Sequence, residues 1–249
     1  MFVRTNYHGF MTTEVGVDQS IDQRLLDAAI DHFGRKGLEG ASTRAIAAAA
    51  GTTMSSITYH YGGKEGLYLA AVRHIANQIS EHLNPALLAS RNLKAPDSGP
   101  EAASRTVLSI IDHFLEIIVR PESEAWARLI VREQMEPTVA FDILYGGVIG
   151  RAVDHLSALL VQIGEGHWDD TEARLKALAI IGQALIFRVG RATLLKAAGW
   201  TDVDAVGAAA IRRVVLTQTR AVLTDKGLTD KGLTDKDLTD KDKEKGVPG

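Results

Sequence analysis

The segment Thr43–Tyr68, TRAIAAAAGTTMSSITYHYGGKEGLY, decides the fold of the N-terminal part of the chain. Ile46 and Ile57 are its apolar anchors, and Ala47 is small enough for two helices to come close. Gly51 falls at the turn, where a positive φ is least costly for glycine. This spacing predicts two short helices joined by a tight turn, a helix-turn-helix.

The second helix of this motif carries an unusual number of hydrogen-bonding side chains. Apart from Ile57, it presents Thr52, Thr53, Ser55, Ser56, Thr58, Tyr59, His60 and Tyr61. A helix in the major groove offers such groups to base edges, while hydroxyl, amide and basic groups bind phosphates. Lys64, near the start of the next predicted helix, suits a phosphate because the helix dipole favours an anion there. A polar surface helix without a partner is the alternative, but the whole pattern favours DNA.

The surrounding sequence, LLDAAIDHFGRKGLEGASTRAIAAAAGTTMSSITYHYGGKEGLYLAAV, resembles the DNA-binding domain of the TetR family of bacterial transcriptional regulators. The resemblance covers about residues 20–75 and rests on a helix ending in Phe-x-x-x-Gly, on TRAIAAAAG, on YHY and on KEGL. It implies that the second and third helices read DNA. It also implies that the fourth helix connects them to a ligand-binding, dimerising domain.

The resemblance implies a role for each matching position. It places Thr43 and Arg44 at the DNA backbone, Thr53 and Ser55 near bases or phosphates, Ser56 and Thr58 near bases, and Tyr59, His60 and Lys64 on phosphates. Tyr61 stands where the family usually has Phe, so we expect it to pack in the helical bundle. The chain departs from the family pattern at Thr52, usually Val, and at Ile57-Thr58, where an aromatic or leucine pair is common. We expect these departures to change which operator is read rather than whether DNA is bound.

Apolar residues recur at three- and four-residue spacing, and no hairpin turn separates alternating strands, which predicts an all-α protein of about nine helices. The predicted helices cover Ser20–Gly37, a short stretch after Ser42, a stretch from Met54, a stretch that starts after Gly63 and ends before Pro85, and residues 101–119, 122–135, 138–163, 171–198 and 202–223. Ser20 with Gln23, and Thr201 with Asp204, have the spacing of capping boxes.

Four segments follow from this organisation. Residues 1–17 are expected to be a flexible arm, 18–66 a helix-turn-helix DNA-binding domain, 67–223 a helical ligand-binding and dimerisation domain, and 224–249 a low-complexity tail. The tail repeats a five-residue LTDK unit, which matches no helical or strand period and predicts disorder. The segment NPALLASRNLKAPDSGP is expected to connect the two domains.

Composition excludes several classes of function. The 249 residues contain no cysteine, so disulfides, thiolate metal sites and a cysteine nucleophile are excluded. The N-terminal residues lack the pattern of a secretory signal, which predicts a cytoplasmic protein without membrane partners. Residues 18–66 hold five Lys/Arg and six Asp/Glu, a net charge of −1. DNA affinity must therefore come from the placement of a few Lys and Arg side chains, which predicts that the affinity depends only modestly on salt.

The C-terminal part carries no catalytic motif, and no cofactor is expected. Asp112, His113 and Glu116 lie within one predicted helical turn, but a solvated face is a better interpretation than a metal site. Arg128, Arg132, Glu133 and Glu136 either form ordinary surface ion pairs, or some of the arginines border a cavity that accepts a polar or anionic group. The candidate pocket residues are His113, Phe114, Trp126, Arg128, Met135, Phe141, Tyr145, Gln183, Phe187 and Arg188.

EAWARLIVREQMEP and GQALIFRVGRATLLKAAGW are similar to the C-terminal domain of the CecR-like branch of the TetR family. The last two predicted helices are the expected homodimer interface, with small faces at Ala177, Ala184, Ala205, Ala208 and Ala209. A dimer would hold two reading helices about 34–36 Å apart on an operator. The sequence thus predicts a regulator, most often a repressor in this family, that binds a palindromic DNA operator and is released by a small-molecule inducer. The alternatives are an α-helical enzyme or an adaptor dimer with a vestigial helix-turn-helix.

Overall fold

The computed structural model describes residues 20–91 and 99–225, which form ten helices and no strand. The helices are α1 (Ile21–Gly40), α2 (Thr43–Ala49), α3 (Met54–Tyr61), α4 (Lys64–Arg91), α5 (Pro100–Ile118), α6 (Ser123–Met135), α7 (Val139–Gly164), α8 (Asp170–Val189), α9 (Arg191–Ala198) and α10 (Ala205–Thr224). Residues Tyr145–Ile149 of α7 form a π-helical turn. The all-α prediction is confirmed, and the number of helices is close to the nine expected.

Capping groups explain where several helices begin. The Ser20 hydroxyl accepts a hydrogen bond from the Gln23 amide at 3.2 Å, as predicted. The predicted box at Thr201 is wrong, because α10 is capped by Asp204, whose carboxylate accepts from the Gly207 amide at 2.8 Å. Each cap satisfies an amide that the first helical turn leaves without a partner.

Two predicted boundaries differ from the structure. The fourth helix was expected to end before Pro85, but α4 continues through this proline to Arg91. A proline costs a helix one hydrogen bond, yet its φ is compatible with helical geometry. The single helix expected over 171–198 is broken at Gly190 into α8 and α9, which differ in direction by 74°. A Cβ at Gly190 would lie 2.8 Å from the Ile186 carbonyl oxygen, so glycine permits the bend.

The described residues build two hydrophobic cores. The first joins the N-terminal helices to α6 and α7, and includes Phe33, Ile46, Ile57, Leu67 and Leu129. The second lies between α5, α7, α8 and α10, and includes Ile111, Leu156, Leu160, Ile180 and Val215. The helix-turn-helix anchors Ile46 and Ile57 therefore pack in the same core as α6. A displacement of α6 would change the packing of the N-terminal helices.

Helix α7 is long and apolar enough to cross a membrane by length and composition, and so are α8 and α9 taken together. Core helices of other proteins pass the same test, and α7 contributes Leu156 and Leu160 to the second core. The expected N-terminal arm (1–17) and all but the first residues of the tail (224–249) lie outside the described residues. The second half of the expected connection NPALLASRNLKAPDSGP does too, whereas its first residues belong to α4.

Candidate DNA-binding surface and effector cavity

The helix-turn-helix forms as the sequence predicts. Ile46 on α2 and Ile57 on α3 are fully buried, and Ala47 is buried where the two helices approach each other. Gly51 lies in the turn with φ of 67°, in the left-handed region that glycine adopts at least cost. Ile57 is the buried residue of α3, which leaves the rest of this helix facing outward.

The outward face of α3 holds most of the predicted contact residues. Thr53, Ser55, Thr58, Tyr59 and His60 are exposed, and Ser56 is half-buried. Tyr59 is 85% exposed and meets the His60 ring edge-on at 5.0 Å. A large aromatic side chain held this far into solvent has no packing role, so its phenol is available to a partner.

Hydroxyl groups at the start of α3 bind one another. The Thr53 hydroxyl lies 2.8 Å from that of Ser55 and 3.1 Å from that of Ser56, and the Thr52 hydroxyl donates to Ser56 at 3.0 Å. Hydroxyls can exchange such bonds for bonds to a base or a phosphate, since each is both donor and acceptor. The cluster is therefore satisfied without DNA and adaptable with it.

The remaining predicted DNA contacts lie beside α3 and differ in whether they already have a partner within the protein. Arg44 is exposed on α2, while Thr43 next to it is half-buried. Lys64 is half-buried, and its ammonium donates to the Glu39 carbonyl oxygen at 2.8 Å, near the end of α1. Lys64 therefore has a role within the protein that sequence reasoning did not foresee, and a phosphate would have to compete with this carbonyl.

Tyr61 packs against the first core, as predicted. Its burial, together with the nearby Asp22 carboxylate that accepts a hydrogen bond from its hydroxyl, raises the pKa of the phenol. Met54 was missed as a surface residue: it opens α3 with an exposed side chain. An apolar group on a reading helix suits the methyl group of thymine, and an apolar residue at the first position of a recognition helix could have signalled it.

Helix α6 packs closely on α1. A Cβ at Gly34 would lie 3.2 Å from the Ala125 carbonyl oxygen, which shows how near the two backbones come. The Arg132 guanidinium lies over the backbone of Gly37, whose φ of 71° ends the regular part of α1. Its buried Nε has no hydrogen-bond partner in the part of the chain that is described.

Glu133 of α6 is 1% exposed and binds α4 and α7. One carboxylate oxygen accepts a bond from the Tyr68 hydroxyl, and the other accepts from the Thr138 hydroxyl at 2.8 Å and the Thr138 amide at 3.1 Å. Burial and this carboxylate raise the pKa of the Tyr68 phenol. A buried carboxylate is tolerated because its oxygens are bonded in this way.

The interpretation of these charges as surface ion pairs is therefore wrong for two of the four residues. Arg128 does form an ordinary pair, but with Glu124 at 2.6 Å, one turn earlier. Glu133 is a buried link between the DNA-binding helices and α7, and Arg132 packs on α1. Sequence spacing alone could not reveal this, because the same i, i+4 pattern occurs on solvated helices.

A Tyr68→Phe variant tests the Glu133 link. Removing the phenol hydroxyl takes away the hydrogen-bond donor of one buried Glu133 carboxylate oxygen. We expect this loss to lower the free energy of unfolding by about 2 kcal/mol. Chemical denaturation measures this change. Tyr59→Phe is the matched control, since its exposed hydroxyl should leave stability unchanged, and equal losses in both variants would contradict the link.

The candidate pocket residues do not converge on one place. Met135 is 78% exposed and Tyr145 is also exposed, so both face solvent rather than an interior space, because they fall on the outer side of their helices. Phe141 stacks near Tyr145, Trp126 packs on the first core, and Phe114 touches both cores. The other polar candidates have partners: His113 binds the Ser109 carbonyl, Arg128 pairs with Glu124, and Gln183 donates to the Thr219 hydroxyl at 2.7 Å.

Phe187 and Arg188 line a cavity of about 300 Å³, here named the α5–α8 cavity. It lies between the end of α5, the α8–α9 bend and the start of α10. Its lining residues are Ile118, Val119, Pro121, Glu124, Phe187, Arg188, Arg191, Asp202, Val203 and Ile211. Six of these residues are apolar and four are charged, and cavities of this size that combine apolar walls with polar groups are typical of small-molecule sites.

Asp112 of the conceivable metal cluster instead binds the Arg212 guanidinium of α10. Within 20–91 and 99–225 no group of three or more His, Asp or Glu side chains is placed to hold a metal ion.

One side of α8 and α10 is apolar and exposed. Its members are Leu175, Leu178, Leu185, Ile186 and Val189 on α8, with Val206 and Val214 on α10, and this set is named the α8–α10 face. Ala205 and Ala209 are exposed as expected for an interface, but Ala177 and Ala184 are fully buried inside the protomer. The expectation that these two alanines form the dimer face is wrong, because they lie on the opposite side of α8. Contiguous exposed apolar surface of this kind marks an interaction site.

Comparisons with known proteins agree with this architecture. Residues 25–71 match the family of bacterial regulatory proteins named tetR, and residues 103–225 match the C-terminal domain of the HTH-type transcriptional dual regulator CecR. CecR of Shigella flexneri is 34% identical over 183 residues, which are 73% of this chain and 82% of that protein. The chain belongs to the TetR family. It is a DNA-binding transcriptional regulator, and regulators of this family act as dimers and are not enzymes.

Solved structures share the TetR fold. A TetR-family regulator from Mesorhizobium loti has a TM-score of 0.56 at 18% identity, covering 82% of this chain and 95% of that one. AibR, solved with isovaleryl coenzyme A and operator DNA, has a TM-score of 0.60 at 15% identity, covering 80% of this chain and 97% of that one. The alternatives of a helical enzyme and of an adaptor with a vestigial motif do not fit this family.

Proposed function

We propose that this TetR regulator is a repressor that binds a palindromic operator as a homodimer and is released by a small-molecule inducer. The observation that carries the proposal is the outward face of α3, where exposed hydroxyl and aromatic groups stand on a helix anchored by Ile57. Residues 18–66 form the DNA-binding domain in this proposal and 67–223 the effector and dimerisation domain. In this proposal the regulator acts in the cytoplasm, where it has access to bacterial DNA.

Two surfaces on α3 and its neighbours have different tasks. Thr53, Ser55, Ser56 and Thr58 select the base sequence, while Thr43, Arg44, Tyr59, His60 and Lys64 hold the DNA backbone. Base-edge contacts carry sequence information, whereas phosphate contacts set affinity and register. The exposure of Tyr59 and Arg44 supports the second task, and the adaptable hydroxyl cluster at the start of α3 supports the first.

Two features support dimerisation: the exposed apolar α8–α10 face, and the need for two α3 helices to bind the two halves of a palindromic operator. A second copy covering this face removes apolar surface from water and fixes the distance between the two α3 helices. An inducer that favours a different spacing lowers operator affinity. By linkage, the operator-bound dimer then binds the inducer more weakly by the same factor. CecR is a dual regulator by name, so a reporter gene must establish the sign of regulation for this chain.

Substitutions on α3 separate the two tasks. Thr58→Ala is expected to change base preference within the operator, while Tyr59→Phe is expected to weaken binding to all sequences about tenfold, since it removes one phosphate contact. Fluorescence anisotropy with the operator and with single-base variants measures both effects. If Tyr59→Phe alters base preference and Thr58→Ala lowers affinity uniformly, the assignment is reversed and the proposal fails.

The salt dependence of operator binding tests how few Lys and Arg side chains contact the DNA phosphates. Arg35 is paired with Asp31 on α1 at 2.8 Å, and Lys64 is bound to the Glu39 carbonyl, so few cations beside α3 stand unengaged. We expect a slope of log affinity against log salt well below ten, because each released counterion adds about 0.9 to it. Titration of operator binding from 50 to 300 mM KCl checks this. A slope of ten or more contradicts the placement argument.

A further inference from the structure

Arg188 places a buried positive charge on the wall of the α5–α8 cavity. Its side chain is 8% exposed. The guanidinium Nε donates to the Ile118 carbonyl oxygen at 2.5 Å, and Nη2 donates to the Arg120 carbonyl oxygen at 2.8 Å. The charge is therefore held by backbone dipoles, without a carboxylate bonded to it.

Burial is costly for this cation, and it lowers the pKa of Arg188. Two of the carboxylates around the cavity bond to other arginines, while their charges, with that of Glu122, act against the lowering of this pKa. Asp202 pairs with Arg191, and Glu124 pairs with Arg128 at 2.6 Å. A buried guanidinium bonded only to neutral carbonyl oxygens is stabilised by a carboxylate that reaches it, because the negative charge adds an ion pair that a carbonyl cannot provide.

Beside Arg188 the wall has an apolar part, and its other charged members are Glu124, Arg191 and Asp202. Phe187, Val203 and Ile211 face the same space, with Ile118 and Val119 at the end of α5. We propose that the α5–α8 cavity is an effector site for a small organic monocarboxylate, with the carboxylate on Arg188 and the apolar body against Phe187, Val203 and Ile211. The regulatory meaning of this site rests on the function proposed above, whereas its ligand chemistry rests on the cavity alone.

The site has a short connection to the DNA-binding helices. The carbonyls that hold Arg188 belong to Ile118, the last residue of α5, and to Arg120 in the segment that follows, and the Arg120 side chain donates to His82 of α4. His82 Nδ1 donates to the Gln78 carbonyl at 2.7 Å, which leaves Nε2 as the acceptor for Arg120. A carboxylate that draws the guanidinium away from Ile118 and Arg120 alters this segment and its hold on α4, the helix that begins beside α3.

Isothermal calorimetry on the full chain tests the ligand chemistry. The probes are hexanoate and benzoate, each compared with its neutral amide at pH 7.5. We expect the carboxylates to bind at least tenfold more tightly than the amides, since the amides cannot neutralise Arg188. Equal affinities, or no binding of either carboxylate up to 10 mM (a limit of about 2.7 kcal/mol), overturn the proposal.

Two variants place the binding in the cavity. Val203→Trp keeps the Arg188 side chain but fills the space beside it and should abolish carboxylate binding, while Val161→Trp on the exposed side of α7 should leave it unchanged. Arg188→Met removes the charge but also the bonds to α5, so its melting curve is compared with that of the wild type first. Retained binding in Val203→Trp overturns the site.

Operator binding of the same preparations separates the two proposals. A wild-type protein that binds its operator but no carboxylate overturns the site and leaves the regulator proposal standing. A protein that binds carboxylate in the cavity but no operator supports the ligand site and contradicts the regulator proposal.

Discussion

An Ile186→Glu variant should be monomeric and should lose operator affinity by at least two orders of magnitude. Ile186 is 58% exposed in the middle of the α8–α10 face, between Leu178 and Val189. In a twofold interface each substitution occurs twice, so two carboxylates would be buried without partners. Each is expected to cost about 2 kcal/mol or more, and every 1.4 kcal/mol is a factor of ten in association.

Light scattering after size exclusion measures the mass, and anisotropy measures operator affinity in the same samples. Met135→Glu is the matched control, because Met135 is 78% exposed and lies on α6, which is not part of the α8–α10 face. It should remain dimeric and bind DNA like the wild type. A dimeric Ile186→Glu protein would mean that another surface holds the two copies together.

Gly66→Ala should lower the free energy of unfolding by about 3 kcal/mol and weaken DNA binding at the same time. A Cβ at Gly66 would lie 1.7 Å from the Tyr61 carbonyl oxygen and 2.9 Å from the Tyr61 carbonyl carbon. Backbone atoms cannot rotate away as a side chain does, so the turn between α3 and α4 must open. That movement tilts α3 away from the position that its anchor Ile57 sets.

Thermal melting should show a fall in Tm of about 6–12 °C for this variant. Gly40→Ala is the control, because its Cβ would meet Lys36 Cβ at an ordinary 3.5 Å. It should be unchanged or slightly more stable, since alanine restricts the unfolded chain. An unchanged Tm and operator affinity in Gly66→Ala would show that the turn does not fix α3.

The helix-turn-helix could be predicted almost completely from the sequence, because its signals are local. Gly51 needs a positive φ, Ile46 and Ile57 are the apolar positions of short helices, and Ser20 caps α1 through its own third neighbour. The polar face of α3 follows from the same pattern, because it consists of the residues of the helix that remain once the buried Ile57 is set aside. Each of these signals is read within a few residues of the feature it determines.

The effector domain was harder to predict, because its features depend on contacts between distant segments. Glu133 is buried since Tyr68 and Thr138 meet it in space, and Ala177 and Ala184 are buried since α8 turns that side inward. Arg188 is among the candidate pocket residues, but its partners lie about 70 positions earlier in the chain. Periodicity identifies a buried face without saying which neighbour covers it.

We expect a dimer to read DNA through two copies of α3. Hydroxyl-radical footprinting of the full chain on the DNA flanking its own gene tests this expectation. We predict two related, inverted half-sites whose centres are about one helical turn, 34–36 Å, apart, or a multiple of that distance. Binding no stronger than to random duplex, with no protected site, would contradict the expectation.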